Sequence, residues 1–493
     1  MKTFALTLVA LLATARPTAA QQPDPAEDRV ARLERLVAEM QLQIEQLQRE
    51  RHPGTPAPET SSVVASHPAD SDAPASPDRR NQVGPLEWNG EFRLYFDSLT
   101  RPASPDTPAA ANSRGRYLLY LNARAPVHRT LDVRARLSTG ALNNPLTDIQ
   151  DFGGGTAKHP FSIAEAYVDF HPNPRLNLQG GRLDSLFNDR ARFLFDIDTR
   201  FNGFNESFSI PIASKSRGVT GIRFVAGQYF FTNPNIPSID AEVPSTAAGA
   251  TPSQALLASG AGAGRRAKVS ALFQQGVVVE HRLSESVSHQ FELDLGLFRE
   301  PNQLALLSTP GGLFLVSTSI GTTPSSPLPS VGNGTTTPTG GQFAAPAFRI
   351  LHADYRLDHH AIRLAGRDVP ATFDVQFARN LGAGFENNAL LLTASAGQAT
   401  PRRARLAYAF YRKEANALIG QLTENDIGVG SSVNMATHFI RFDYGVVRNV
   451  TVAGNLSVTS FLSSSDRARS FFVPFGSGVP TEERLQLMLV TRF

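Results

Sequence analysis

Arginine alternates with apolar residues in several short stretches of this chain. In "LNARAPVHRTLDVRARLS" (121–138), Arg124, Arg134 and Arg136 share their strand parity with Asp132. In "EFRLYFD" (91–97), Arg93 shares its parity with Glu91 and Asp97. Of the 47 cationic residues, 42 are arginine and 5 are lysine. A guanidinium is planar, forms bidentate pairs and stays charged when partly desolvated. Such a row can do two things. It can pair with carboxylates on neighbouring strands, each pair contributing about 0.2–1 kcal/mol. It can also stand as a ladder that guides a charged solute through a pore. The residue types leave both open.

Other chemistries find little support. There is no cysteine, which excludes disulfides, thiolate metal sites and a lipidated Cys anchor. No G-x-S-x-G is present, and the histidines form no nucleophile–base constellation, so an enzyme is not expected. Asp196 and Asp198 fall short of the six to eight oxygens that Ca²⁺ takes. His359 and His360 are adjacent, expected in a turn, and lack an evident third ligand. The glycines of "ASGAGAGRR" (259–266) lack the Lys-Thr/Ser of a phosphate loop, and "GTTPSSPLPSVGNGTTTPTGG" (321–341) reads as a low-complexity surface loop. No metal or cofactor is expected. The net charge is +3, and no basic cluster exceeds two adjacent residues, so nucleic acid is not an expected partner.

The elements that must position these arginines are strands. Leu86, Trp88, Phe92, Leu94 and Phe96 share one face; Glu87, Glu91, Arg93, Tyr95 and Asp97 share the other. The same two-residue period recurs to the end, where Leu485, Leu487 and Leu489 oppose Arg484, Gln486, Met488, Val490 and Arg492. A β-sandwich also alternates. Connection length separates the two architectures. "APVH", "HPNP", "ASKS", "GQATP" and "VRN" are short, whereas 99–114, 139–161, 183–204, 231–266, 300–342, 413–432 and 462–482 are long. Short turns at one end and long loops at the other are the habit of outer-membrane barrels. The expected fold is all-β, a transmembrane antiparallel barrel of about sixteen strands. Residues 357–369 and 381–387 break the rhythm.

Three segments precede the barrel at 85–493. Lys2, the apolar run Phe4–Ala13 and the small residues Thr18-Ala19-Ala20 read as a signal peptide over 1–20. Val30, Val37 and Ile44 at a, with Leu33, Met40 and Leu47 at d, give a short coiled-coil helix within 21–52; a plain surface helix is the other reading. β-branched a positions with Leu at d favour two strands. Residues 53–84 form a Pro-rich disordered linker.

The stretches "GRYLLYLNARAPVHRTLDVRARLSTGALNNPLTDIQDFGG", "SIAEAYVDFHPNPRLNLQGGRLDSLF", "FDIDTRFNGFNESF" and "YAFYRKEANALIGQLTENDIGVG" resemble the putative porin family of Gram-negative bacteria. The order signal, short coiled coil, Pro-rich linker, barrel resembles it too. The likeness is densest at 115–207. It implies an outer-membrane pore, trimeric like other sixteen-stranded porins, in contact with outer-membrane lipid and lipopolysaccharide. Phe493 resembles the barrel-assembly signal, with Thr491 a departure from it.

Expectations for the site follow. The pore lining should include Arg93, Arg116, Arg124, Arg134, Arg136, Glu165, Asp169, Arg403, Arg405 and Arg441. Adding Arg484, Arg492 and the carboxylates Glu87, Glu91, Asp97, Asp132, Glu292, Asp294, Asp374 and Asp443 makes the wall balanced in sign. The loop "LDSLFNDRARFLFDIDTRFNGF" (183–204) is rich in Phe, which free water disfavours. It should pack inward and constrict the channel with Arg190, Arg192, Asp196, Asp198 and Arg200; a lid or subunit-contact loop is the other reading. The expected function is a diffusion channel for small hydrophilic solutes or ions. Its rival is an anchor whose segment 21–84, in the periplasm, contacts peptidoglycan.

Overall fold

A computed structural model describes residues 86–103, 109–140, 147–152, 158–187, 191–212, 217–231, 269–302, 304, 333, 343–364, 366–423, 427, 433–462 and 481–493. The signal, coiled-coil and linker readings over 1–84, the residue Arg190, the loop 259–266 and, apart from Asn333, the loop 321–341 lie outside them.

The chain forms one closed antiparallel sheet. Its strands are β1 (Glu87–Arg101), β2 (Ala110–His128), β3 (Leu131–Thr139), β4 (Gln150–Asp151), β5 (Phe161–Asn173), β6 (Leu176–Leu183), β7 (Phe201–Pro211), β8 (Gly218–Phe230) and β9 (Ala271–Arg282). There follow β10 (Val287–Arg299), β11 (Arg349–Leu364), β12 (Arg367–Asn380), β13 (Asn388–Gly397), β14 (Ala404–Lys413), β15 (Met435–Val447), β16 (Val450–Phe461) and β17 (Glu482–Arg492). The two-residue β4 rests on the end of β2, while β3 pairs directly with β5, so sixteen strands make the wall. Each wall strand pairs with its sequence neighbour, and β17 returns to β1 with Arg492 opposite Glu91. Closure removes the exposed edges an open sheet would leave. At the seam Gly90 and Phe493 exchange backbone hydrogen bonds of 2.8 and 3.0 Å. The Phe493 ring lies over Gly90, where a Cβ would displace it and would crowd the Tyr120 carbonyl at 2.9 Å.

The parity of the strands decides what faces where. Trp88, Leu94, Phe96, Phe291, Leu293, Leu297, Leu485, Leu487 and Leu489 are exposed on the outer face, and Phe92, Leu121 and Leu295 are partly so. Tyr95, Asp97, Asp132, Glu292, Asp294, Arg484 and Gln486 are buried on the inner face. A band of exposed aromatic and aliphatic side chains suits hydrocarbon, and no described helix is long and apolar enough to cross a membrane.

Connections alternate without exception. The turns at 129–130, 174–175, 212–217, 283–286, 365–366, 398–403 and 448–449 lie at one end and the longer connections at the other. The two breaks in rhythm resolve. β11 runs to Leu364 and β12 starts at Arg367, which places His359 and His360 on β11 rather than in a turn. Residues 381–387 are a short member of the long-loop set.

Candidate functional site

The interior carries two chemistries. From β6 to β15 the inner wall is apolar toward its loop end, with Leu183, Phe201, Tyr229, Leu272, Ile350, Leu391, Tyr411 and Met435 in one cluster. Loop residues Phe193, Leu194, Phe343, Phe348, Leu418, Ile419 and Leu422 fill that cluster from inside. The loop between β6 and β7 crosses to the far wall. Tyr411 on β14 donates its hydroxyl to the Ala191 carbonyl at 2.8 Å. Thr423 Oγ1 donates to the carbonyls of Leu194 (2.6 Å) and Phe193 (3.4 Å). The Asp196 N–H donates to the Leu422 carbonyl at 2.8 Å. The Phe193 ring lies 6.0 Å from that of His352 on β11. Strands β6 and β14, eight places apart around the sixteen-strand wall, are bridged by this one segment.

The loop's charges face the other half. Arg200 Nε donates to Glu165 Oε1 at 2.6 Å, and Tyr120 donates its hydroxyl to Asp198 Oδ1 at 2.8 Å. Asp198 also accepts the Asp148 N–H at 3.1 Å. Burial, then the charge of Asp198, pushes the Asp148 carboxyl up to about 7. Burial raises Asp184 as well. Burial alone would lower the Arg200 guanidinium, but Asp184, Glu165 and Asp198 hold it above its ordinary value. Asp196, Asp198 and Arg200 are therefore inside the barrel in a bonded network; Arg192 is half-buried at φ +60° beside them.

From β15 through β17 to β5 the wall is charged, and its arginines are paired. Arg124 and Arg134 reach Asp132 at 2.8 and 3.4 Å, and Arg134 reaches Asp169 at 3.0 Å. Arg136 joins Arg200 on Glu165 at 2.7 Å. Arg116 sits between Asp97 (3.3 Å) and Asp151 (2.7 Å), with Arg484 on Asp97 at 2.8 Å. Arg93 contacts Glu91, which Arg492 also reaches at 2.7 Å, and Arg441 pairs with Asp443 at 2.8 Å. Arg405 is exposed at the turn end of β14, opposite Asp443 in register. Arg403 is not on the strand: it lies in the 398–403 turn, where its N–H donates to the Thr400 carbonyl at 2.8 Å. The parity argument overran the strand start by two residues there.

The pairs are unequal in exposure. The side chains of Arg124 and Arg134 are 42% and 40% exposed, against 2% for Asp132 and 5% for Asp169. Arg441 is 30% exposed against 6% for Asp443, and Arg136 27% against 11% for Glu165. The carboxylates lie against the wall and the guanidiniums lie over them. In these four pairs the more exposed member is the guanidinium; in Arg116–Asp151 (6% against 17%) and Arg356–Asp358 (20% against 28%) it is the carboxylate.

Sequence reasoning missed the second inward segment. The run "ANALIGQL" (415–422) is apolar in the middle of a long connection, the same signal that marked 183–204. It also missed the clusters Glu292–Asp294–His352 and Asp132–Asp169–His171, whose ligand-type atoms lie within 4.8 Å of one another. In the first, His352 Nδ1 is 2.5 Å from Asp294 and Nε2 3.2 Å from Gln376 Oε1; in the second, arginines already occupy the carboxylates.

No curated protein matches the chain. Among solved structures it is similar to OprB of Pseudomonas putida, with 9% identity and a TM-score of 0.45 over 83% of this chain and 94% of that one. It is also similar to OmpF of Salmonella typhi in complex with daunomycin, with 9% identity and a TM-score of 0.43 over 83% and 97%. An anion-selective porin from Comamonas acidovorans gives 10% identity and a TM-score of 0.42 over 83% and 99%. Residues 83–263 match the model of the putative porin family, the family whose pattern the sequence resembles.

Proposed function

We propose that this protein is an outer-membrane channel through which small anions diffuse passively. The observation that carries the reading is the exposed guanidinium layer of Arg124, Arg134, Arg136 and Arg441 over buried carboxylates. Permeation selectivity depends on the sign of the charge nearest the ion. Sixteen strands enclose a lumen wide enough for water. The segment 191–200 divides that lumen, sealing its β6–β15 side with Phe193 and Leu194 and packing Asp196, Asp198 and Arg200 against the charged half, with Arg192 half-buried. The long loops face the outside and the short turns, with residues 21–84, the periplasm. Purified protein in a planar bilayer should show discrete current steps, and their absence from folded protein would sink the reading.

The working form is a homotrimer. Glu206 stands at the middle of β7 on the outer face, in one row with Ala226 of β8 and Gln275 of β9, and accepts from Gln228 Nε2 at 3.4 Å. A charged group on the lipid face of a barrel costs up to about 2–4 kcal/mol at mid-depth, less for a carboxylate. Contact with a neighbouring protomer would remove that cost. Mass photometry in detergent should give three copies, and Glu206→Lys should shift the distribution toward one.

A further inference from the structure

The outer face carries a basic collar at its loop end, confined to three neighbouring strands. Arg299 is the last residue of β10, Arg349 the first of β11, and Arg379 the next to last of β12. Arg349 lies opposite Leu297 and Arg379 opposite Leu351, so the three step diagonally from strand to strand. Diagonal neighbours in a sheet stand about 7–8 Å apart, within reach of long side chains. All three arginines are exposed on the same face as Leu297, Leu351 and Phe377, at the edge of the apolar band.

None of the three guanidiniums has an ion-pair partner among the described residues. On the inner wall Arg116, Arg124, Arg134 and Arg136 are each matched by a carboxylate. Arg412, exposed near the loop end of β14, is by contrast engaged by Glu414 at 2.6 Å. Three like charges on adjacent strands repel one another. The arrangement suits a ligand that brings several negative charges and an apolar body together. Guanidinium forks match phosphate oxygens bidentately. The apolar side chains beside them would lie along acyl chains.

We propose that Arg299, Arg349 and Arg379 bind the phosphates of lipid A, the acylated and doubly phosphorylated disaccharide of the outer leaflet. The assignment rests on the orientation given above, with the long loops outside. Free phosphate would use the arginines and leave the leucines idle. Phospholipid of the inner leaflet would meet the opposite ends of the strands, where Arg129, Arg175 and Arg448 are exposed in the turns.

The test is titration of the full-length protein in nonionic detergent with diphosphoryl lipid A, read by native mass spectrometry. Wild type should bind it, and R299Q/R349Q/R379Q should bind at least tenfold more weakly. R129Q/R175Q/R448Q should bind like wild type. Lipid A stripped of both phosphates should bind wild type at least tenfold more weakly, an arm that needs no variant to fold. Equal binding by the collar variant, equal loss in the turn variant, or equal competition by phosphatidylglycerol or inorganic phosphate would each overturn the assignment. Conductance in phosphatidylcholine bilayers should be the same for wild type and the collar variant. A wild type that binds lipid A but carries no current would remove the channel reading and leave this one standing.

Discussion

Asp148 is the residue through which pH should act. Its carboxyl is held up at about 7, first by burial and then by Asp198. An ordinary aspartate loses its proton near 4. Between about 4 and 7 the folded chain therefore holds a proton that the unfolded chain has released. The site's contribution to stability falls as pH rises through that window, by no more than about 1.4 kcal/mol per pH unit, and is flat above it. In the channel, Asp148 gains its negative charge between pH 6 and 8, so anion preference should weaken over that range. Asp148→Asn should abolish the step in reversal potential; a variant that keeps it would show that another group titrates. Glu165 supplies a second prediction. It holds both Arg136 and the almost fully buried Arg200. Glu165→Ala removes the carboxylate in contact with Arg200 and leaves only the charges of Asp184 and Asp198 near it, a loss below the about 3–5 kcal/mol of a buried ion left with no partner. Arg136→Ala should cost far less, because its own guanidinium is partly in water. The temperature at which the folded band disappears on an unheated-versus-heated gel should fall in that order. The alternation of these arginines with apolar residues was legible in the sequence. Their partners were not, because Arg124 finds Asp132, and Arg134 finds Asp169, only once the strand register is set. Exposure was not legible either, since it depends on which member of each pair lies deeper.

At the scale of elements, the strands were readable and the inward loops only partly so. A side-chain period of two leaves a strong trace when one face meets lipid, and β17 shows it without a break from Glu482 to Val490. The Phe content of 183–204 flagged a loop that avoids water, and Phe193 and Leu194 are indeed buried in the apolar cluster. The opposing segment 415–422 has no periodicity to mark its destination, because it is packed by neighbours distant in sequence. Its role gives a third prediction. Thr423 and Tyr411 hold the carbonyls of residues 191, 193 and 194. Removing such hydrogen bonds costs about 1 kcal/mol apiece, more where a buried carbonyl is left without a partner. The double variant Y411F/T423V should loosen 191–200, seen as faster amide exchange there and larger single-channel conductance. Unchanged exchange with unchanged conductance would show that apolar packing alone fixes the loop.

At the scale of the whole molecule, the barrel separates its duties by face. The outer face is apolar, with a polar row at Glu206 and a basic collar at Arg299, Arg349 and Arg379. The inner face is sealed on one side and charged on the other. If residues 21–84 serve as a tether, their deletion should abolish co-sedimentation with peptidoglycan and leave the current steps intact. The central claim concerns the sign of the inner layer, and it is tested most directly by the reversal potential of single channels in a KCl gradient. Chloride should carry most of the current, and replacing Arg124, Arg134 and Arg136 together by Gln should move the potential toward the non-selective value. A reversal potential of the potassium-selective sign in wild type would contradict the account.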